Sequence, residues 1–297
     1  MEVIMRITVF TPTYNRGYII DNLYESLKRQ TFRNFEWIVI DDGSTDDTEE
    51  KFTKFKKDSD FPLTYLKVNN GGKHRAINRG VQMAKGELFF IVDSDDYLTD
   101  DSLEIIDRIE KTIPNEKKKN FAGICGMKGY TKSESIGNTF DGETLDITML
   151  ERSKYGITGD KSEIFYTDIL KKYPFPEFEG ENFITECVVW DKIAFDGYKL
   201  RFFNEINYIC DYLPDGLTAH SEQLFVNNPK GYGLYLYQSD VYGKIQCLDK
   251  WNKYFKYYNL YKSNLTFYQI SKNLHMNTVV FYLRIFGLRL FYKLYDR

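Results

Sequence analysis

Three carboxylates within four positions, Asp93, Asp95 and Asp96, follow directly on the apolar run Leu88-Phe89-Phe90-Ile91-Val92. An uninterrupted apolar run of this length suits a strand buried on both faces of a parallel sheet. Such sheets take their ligands in the crevice beyond the carboxyl ends of the strands. Neighbouring anions there repel one another and need protons or a cation. A divalent metal is the simplest answer, and it would in turn hold a phosphorylated substrate.

Other turns carry matching chemistry. They are Thr11-Pro12-Thr13-Tyr14-Asn15, Asp41-Asp42-Gly43-Ser44-Thr45-Asp46, and the basic Gly71-Gly72-Lys73-His74-Arg75. The last precedes a helical pattern, and the free amides and positive end of a helix suit phosphate.

The elements that must position these turns alternate regularly. Strands are expected over residues 6–11, 36–41, 63–68 and 87–92. Helices are expected over 18–30, where Ile19, Leu23 and Leu27 form one stripe, from a cap at Asp46 to about 57, and over 74–84. That alternation specifies a parallel doubly wound sheet, so all four turns converge on one edge. Farther on, the pattern predicts a helix over 100–114, a strand over 121–127, a helix over 182–195, and a short strand over 208–212 followed by a loop at 213–216. Residues 128–180, rich in Gly, Ser and charge, carry no clear pattern, and beyond 230 helices dominate.

At 297 residues, with 42% hydrophobic content, the chain can bury a large core and is neither disordered nor a multi-span membrane protein. Its 24 Tyr and 23 Phe suit carbohydrate handling and membrane interfaces alike. The four cysteines are scattered without metal-ligand spacing, which points to a reduced, cytosolic setting. No signal peptide or transmembrane stretch is evident. The net charge of -3 hides an asymmetry: residues 250–297 hold nine Lys/Arg against one acidic residue, Asp296. An acidic front and a basic tail suggest two different partners.

Taken together, the turn at Thr11–Asn15, the run Asp41–Asp46, Asn78-Arg79-Gly80 leading through Ala84-Lys85-Gly86, and Asp93-Ser94-Asp95-Asp96 closely resemble family 2 glycosyltransferases across residues 5–100, more weakly to about 220. The resemblance implies an α/β GT-A fold: a doubly wound, mostly parallel sheet with a nucleotide-binding half (1–100) and an acceptor half (101–225). A helical extension (226–297) would follow. It implies transfer of a sugar from a nucleotide donor, with Thr11, Pro12 and Tyr14 walling the base pocket and Asp42 accepting from a base N–H, which favours uracil. Lys73 would approach the base or the diphosphate, and Asn78 the ribose. Asp93-Ser94-Asp95 corresponds to the family's DxD motif. Asp95 would ligate Mg²⁺ or Mn²⁺, Asp93 would touch ribose or metal-bound water, and Asp96 would cap the next helix. The general base would be Glu186 in Thr185-Glu186-Cys187-Val188-Val189-Trp190, where the family usually has Glu-Asp. Glu181 and Asp191 are nearby alternatives, and His220 is a candidate for the metal or diphosphate.

In the tail, Tyr254-Phe255-Lys256-Tyr257-Tyr258 and the apolar stretch 279–295, with Arg284, Arg289 and Lys293, fit a helix lying on anionic lipid. A lipid-linked or glycan acceptor and a peripheral cytoplasmic position at the inner membrane would follow. Packing against the catalytic half or in a homodimer is the alternative. The acidic remainder argues against nucleic acid. High Lys, Asn, Tyr and Ile content hints at an AT-rich bacterial genome, where surface-polysaccharide synthesis is the common setting of this family. Two rival readings differ in class. A nucleotidyltransferase would carry a Gly-rich basic first loop, unlike Thr11–Asn15; a non-catalytic sugar- or lipid-surface-binding protein would turn over no nucleotide sugar.

Overall fold

The protein was analysed as a computed structural model, which describes residues 5–210, 213, 216, 221–245 and 247–295, with side chains excepted at 247, 248 and beyond Phe286. Its first half alternates as the sequence pattern requires: β1 (Ile7–Thr13), α1 (Asp21–Lys28), β2 (Phe35–Asp41), α2 (Thr48–Asp58), β3 (Leu63–Lys67), α3 (Lys73–Met83) and β4 (Leu88–Ile91). The four strands are parallel in the order β3-β2-β1-β4. Their register sets Thr13 beside Asp41 and Asp41 beside Lys67, so the turns that follow open on a common edge.

The second half is mixed. After a two-residue β5 (Tyr97–Leu98) and α4 (Ser102–Lys111) come β6 (Phe121–Gly129), β7 (Thr144–Ile147), β8 (Lys161–Tyr166), α5 (Thr167–Lys172), α6 (Cys187–Phe195) and β9 (Lys199–Ile209). β8 lies antiparallel between β4 and β6, and β9 runs parallel to β6, completing a nine-stranded sheet. The parallel character therefore holds for β1 to β4, and the strands that follow add antiparallel pairs. β7 and β8 fall in the stretch where the sequence carries no clear pattern. β9 is much longer than the strand expected over 208–212. The helix expected from 182 starts only at Cys187, leaving 182–186 as a lead-in loop.

The strands bury both faces. Ile7, Val9, Trp37 and Val39 pack with Leu23, Leu27, Phe52 and Ile106 under α1, α2 and α4. Phe10, Ile38, Ile40 and Phe89 pack with Ala76, Ile77, Val81, Val189 and Trp190 under α3 and α6. Gly80 is needed in α3 because a β-carbon there would sit 2.2 Å from the Phe10 ring. Beyond β9 come α7 (Ser221–Asn227), α8 (Pro229–Val241), α9 (Cys247–Tyr261), α10 (Phe267–Asn273) and α11 (Thr278–Tyr295). They hold a core of their own around Leu236, Tyr254, Tyr257, Ile270, Phe281 and Ile285. None of the helices, over the described residues, is long and apolar enough to cross a membrane.

Candidate active site

Polar side chains tie the turns at the carboxyl edge of the sheet to one another. Asn15, held at a positive φ of 52°, donates its backbone N–H to Ser44 Oγ at 2.8 Å. Its Oδ1 accepts from the Thr45 N–H at 2.7 Å, which locks the β1 turn onto the β2 turn. Asp42 reaches the next loop: its carboxylate accepts the N–H groups of Gly71 and Gly72 at 2.8 and 2.7 Å. Burial raises the Asp42 pKa, and those two amides pull the other way. Gly72 sits at φ +95° with the Asn182 carbonyl 1.8 Å from where a β-carbon would be, so only glycine lets the two loops meet there.

That meeting sets the central geometry. Lys73, the first residue of α3, directs its Nζ 2.6 Å from Asp93 Oδ1 and 2.8 Å from Glu186 Oε1. Glu186 is the N-cap residue of α6, so the shortened helix is what delivers it to the cleft. Burial works against the Lys73 charge, but the two carboxylates outweigh it and raise the ammonium above the ordinary lysine range. Asp93 is held low by Lys73 and Lys128 against the effect of burial. Asp95 is instead pushed up, first by burial and then by the charge of Asp93; the nearest guanidinium nitrogen, of Arg16, is 3.8 Å away.

Tyr208 near the end of β9 clamps this turn from below. Its hydroxyl accepts the Asp93 N–H at 2.9 Å and donates to Asp96 at 2.6 Å. Burial drives the Asp96 carboxyl well up, and the charge of Asp93 adds to this. Lys128 of β6 lies over the Tyr208 ring, 4.0 Å from its centroid.

Several residues expected to meet the donor spend polar atoms on contacts within the fold. Thr11 is fully buried and its hydroxyl accepts from Trp37 Nε1 at 3.0 Å, so it faces the core rather than a base pocket. Pro12 is also buried, whereas Tyr14 is about half exposed at 48%. Asn78 does not point to a ribose: it donates to the Phe175 carbonyl and Glu177 and accepts the Phe175 N–H, bracing that loop. Arg75 braces the same loop through the carbonyls of Phe178 and Glu181. The amides of Gly71 and Gly72, just ahead of α3, are taken by Asp42. Asp96 does not cap a helix, since α4 starts only at Ser102.

The alternative bases are committed elsewhere. Glu181 accepts the backbone N–H groups of Lys230 and Gly231 at the start of α8. Asp191 pairs with Lys244 Nζ at 2.6 Å. Ser94 is buried within the turn, and His74 is buried, with neither ring nitrogen hydrogen-bonded. His220 lies outside the described residues.

Sequence reasoning missed Tyr208, Lys128 and Glu163, a half-buried residue of β8. They lie on β6, β8 and β9, strands whose order no local pattern discloses. Among the described residues no group of three or more His, Cys, Asp or Glu side chains gathers as a metal site. Asp93 and Asp95 nevertheless suit a hard divalent cation, because Mg²⁺ is commonly held by one or two carboxylates plus substrate phosphates and water. The raised Asp95 carboxyl marks negative charge that its surroundings leave under-compensated.

Comparisons with known proteins agree with this architecture. The family model described as "Glycosyl transferase family 2" matches residues 8–112. Poly(ribitol-phosphate) beta-N-acetylglucosaminyltransferase TarS of Staphylococcus aureus is 31% identical over 177 residues, 58% of this chain and 30% of TarS. The solved structure of TarS 1-349 in complex with UDP-GlcNAc superposes with a TM-score of 0.58 at 21% identity, covering 88% of this chain and 73% of that one. GalNAc(5)-diNAcBac-PP-undecaprenol beta-1,3-glucosyltransferase of Campylobacter jejuni is 26% identical over 207 residues, 67% of this chain and 61% of the relative. A mannosyltransferase from Pyrobaculum calidifontis, solved with GDP-Man and Mn²⁺, has a TM-score of 0.53 at 18% identity, covering 79% and 64% of the two chains. The chain thus spans less than two thirds of the length of the curated relatives it matches. With the family match ending in α4, just past the Asp93–Asp96 turn, this chain carries a family 2 glycosyltransferase domain of the GT-A fold.

Proposed function

We propose that this chain is an inverting glycosyltransferase that moves a sugar from a UDP-sugar to a hydroxyl of a glycan or lipid-linked acceptor in surface-polysaccharide synthesis. The observation that carries this reading is the Asp93–Lys73–Glu186 bridge, which brings the DxD turn and the candidate base to one point of the cleft. Support for the donor class comes from the TarS structure, solved with UDP-GlcNAc. A lipid-linked acceptor is consistent with the undecaprenol-linked substrate named for the Campylobacter relative.

In this reading Asp95 and Asp93 would hold Mg²⁺ or Mn²⁺, which when bound would supply Lewis-acid stabilisation of charge on the departing diphosphate. Tyr208 keeps the Asp93–Asp96 turn in place through its two hydrogen bonds. Lys73 adds positive charge where the diphosphate would lie, and its release from Glu186 frees that carboxylate. Glu186 then takes the proton of the acceptor hydroxyl as its oxygen attacks the anomeric carbon and the bond to phosphate breaks. The proton remains on Glu186 and the bonding pair leaves with the nucleotide diphosphate, which inverts the anomeric centre. Asp42 contributes chiefly by fixing the Gly71-Gly72 loop, and Tyr14 is the aromatic left free to meet a base.

The tail fits a membrane-surface role. Val279, Val280, Leu283 and Phe286 form one exposed stripe on α11, with Val279 66% and Leu283 65% exposed. Phe281 and Ile285 on the opposite stripe pack inward. An apolar stripe on a basic segment suits an anionic bilayer, and a peripheral site at the cytoplasmic face would bring the cleft to a lipid-linked acceptor. A screen of nucleotide sugars with Mn²⁺, read as UDP or GDP released, tests the reading. Release from no donor in the screen would leave the non-catalytic alternative.

A further inference from the structure

Glu163 has no place in the mechanism above, although it lies near enough to Glu186 for the two charges to act on one another. The β8 register pairs it with Cys125 of β6 and puts it next to Ile164, the partner of Phe90 in β4. It therefore sits at the sheet edge beside the point where β4 gives way to the Asp93 turn. Alternation along β8 gives Glu163 the same face as Phe165, and Phe165 packs against Trp190 of α6 with ring centroids 4.3 Å apart. That is the face from which α6 delivers Glu186. The charges acting on Glu163 are Lys128, Arg152 and Glu186.

Its carboxylate finds no donor among the described residues except its own backbone N–H. Among the described acidic side chains named above, Asp42 is committed to two amides, Asp93 and Glu186 to Lys73, and Asp96 to Tyr208, while Asp95 stands with Asp93 as the candidate metal ligand. A half-buried carboxylate without a protein donor keeps its oxygens available to accept from water or from a ligand. Burial pushes its carboxyl up to about 7, with Lys128 and Arg152 acting against this and Glu186 adding to it.

We propose that Glu163 accepts a hydrogen bond from a sugar hydroxyl in the cleft and so helps to decide which sugar is used. The proposal rests on the glycosyltransferase reading above. Sugars present ring hydroxyls as donors, and a carboxylate accepts them more strongly than a neutral group does. Discrimination follows because a site built to pair with a hydroxyl strongly disfavours an analogue lacking it. The hydroxyl belongs either to the transferred sugar or to the acceptor, and the chemistry at Glu163 is the same in both cases.

The test uses the full chain with Mn²⁺ as wild type, Glu163→Gln and Glu163→Leu. Leucine replaces a partnerless carboxylate at similar volume and is expected to fold; UDP titration by calorimetry checks that the nucleotide site is intact. UDP release is measured from UDP-GlcNAc, UDP-glucose and UDP-galactose, alone and with methyl β-glycosides as acceptors. With UDP affinity unchanged, a fall of about tenfold to a hundredfold in hydrolysis by Glu163→Leu, smaller in Glu163→Gln, assigns the hydroxyl to the donor sugar. The same fall confined to transfer assigns it to the acceptor. Rates of both variants within about twofold of wild type in both assays overturn the proposal. A wild-type chain that neither binds UDP nor releases it overturns instead the reading on which the proposal rests.

Discussion

Lys73 Nζ lies 2.8 Å from Glu186 Oε1, so the residue that opens α3 holds the residue that caps α6. The same ammonium holds Asp93 at 2.6 Å. One cation therefore serves both the candidate base and the acidic turn. Removing it should have opposite effects on metal binding and on turnover.

For Lys73→Met we expect Mn²⁺ to bind more tightly without nucleotide, by about tenfold, because Asp93 loses its internal counter-ion. Turnover should fall, since the positive charge proposed to meet the diphosphate is lost. Mn²⁺ titration of the nucleotide-free protein checks this; an unchanged or weaker metal affinity would show that Lys73 does not compete with the cation.

Glu186→Gln keeps the shape of the N-cap but cannot accept the proton. Sugar transfer should drop by about 10²–10⁴-fold, with UDP affinity near that of wild type. Steady-state UDP release paired with calorimetry separates the two quantities. Normal turnover in this variant would mean that another group removes the proton.

Gly72→Ala tests the contact between loops. At φ +95° the new β-carbon would meet the Asn182 carbonyl, so either the backbone shifts or the loops part. A loss of about 2 kcal/mol or more is expected, read as a drop in melting temperature, together with weaker UDP binding. A variant with wild-type melting and binding would show that the two loops need not touch.

His74 gives the fold a pH dependence. Burial, helped by the charge of Arg75, depresses its pKa to about 4, against about 6.5 in the unfolded chain. The unfolded state thus binds the proton first, so this stabilisation is complete above pH 6.5 and is lost as pH falls towards 4. The change amounts to at most about 3 kcal/mol. Urea melts at pH 7 and pH 4.5 should show it, and His74→Leu should flatten the slope between them. If the slope survives that substitution, other groups cause it.

Leu283→Asp, on the exposed stripe of α11, should reduce sedimentation with vesicles containing anionic lipid and leave UDP binding unaltered. Equal sedimentation of variant and wild type would direct attention to pairing of two copies through this face, which light scattering would detect.

Much of this is readable in the linear chain. Strand-helix alternation up to Val92 has short periods and local causes, so the parallel half and its converging turns follow from spacing alone. Asp93, Asp95 and Lys73 stand out because charged groups next to a buried strand or a helix start must emerge where solvent or a ligand can meet them. Glu186 stands out through the family resemblance of Thr185–Trp190. Their partners are not readable. Asp42 binds amides 29 and 30 residues away, and Tyr208 joins a turn more than a hundred residues earlier. Asn78 and Thr11 carry the right residue types for donor contacts yet spend their polar atoms on Phe175, Glu177 and Trp37.

The sequence by itself determined which residue types stand at the ends of the first four strands and which family they belong to, because those features repeat over a few residues. Only the tertiary structure decided that Lys73 bridges Asp93 and Glu186, that Glu181 accepts amides of α8 and Asp191 pairs with Lys244, and that Glu163, among the described residues, has no hydrogen-bond donor but its own backbone N–H. Those outcomes depend on the mixed order of β4, β8, β6 and β9. That order is set by long-range strand pairing and burial, which leave little trace in local spacing.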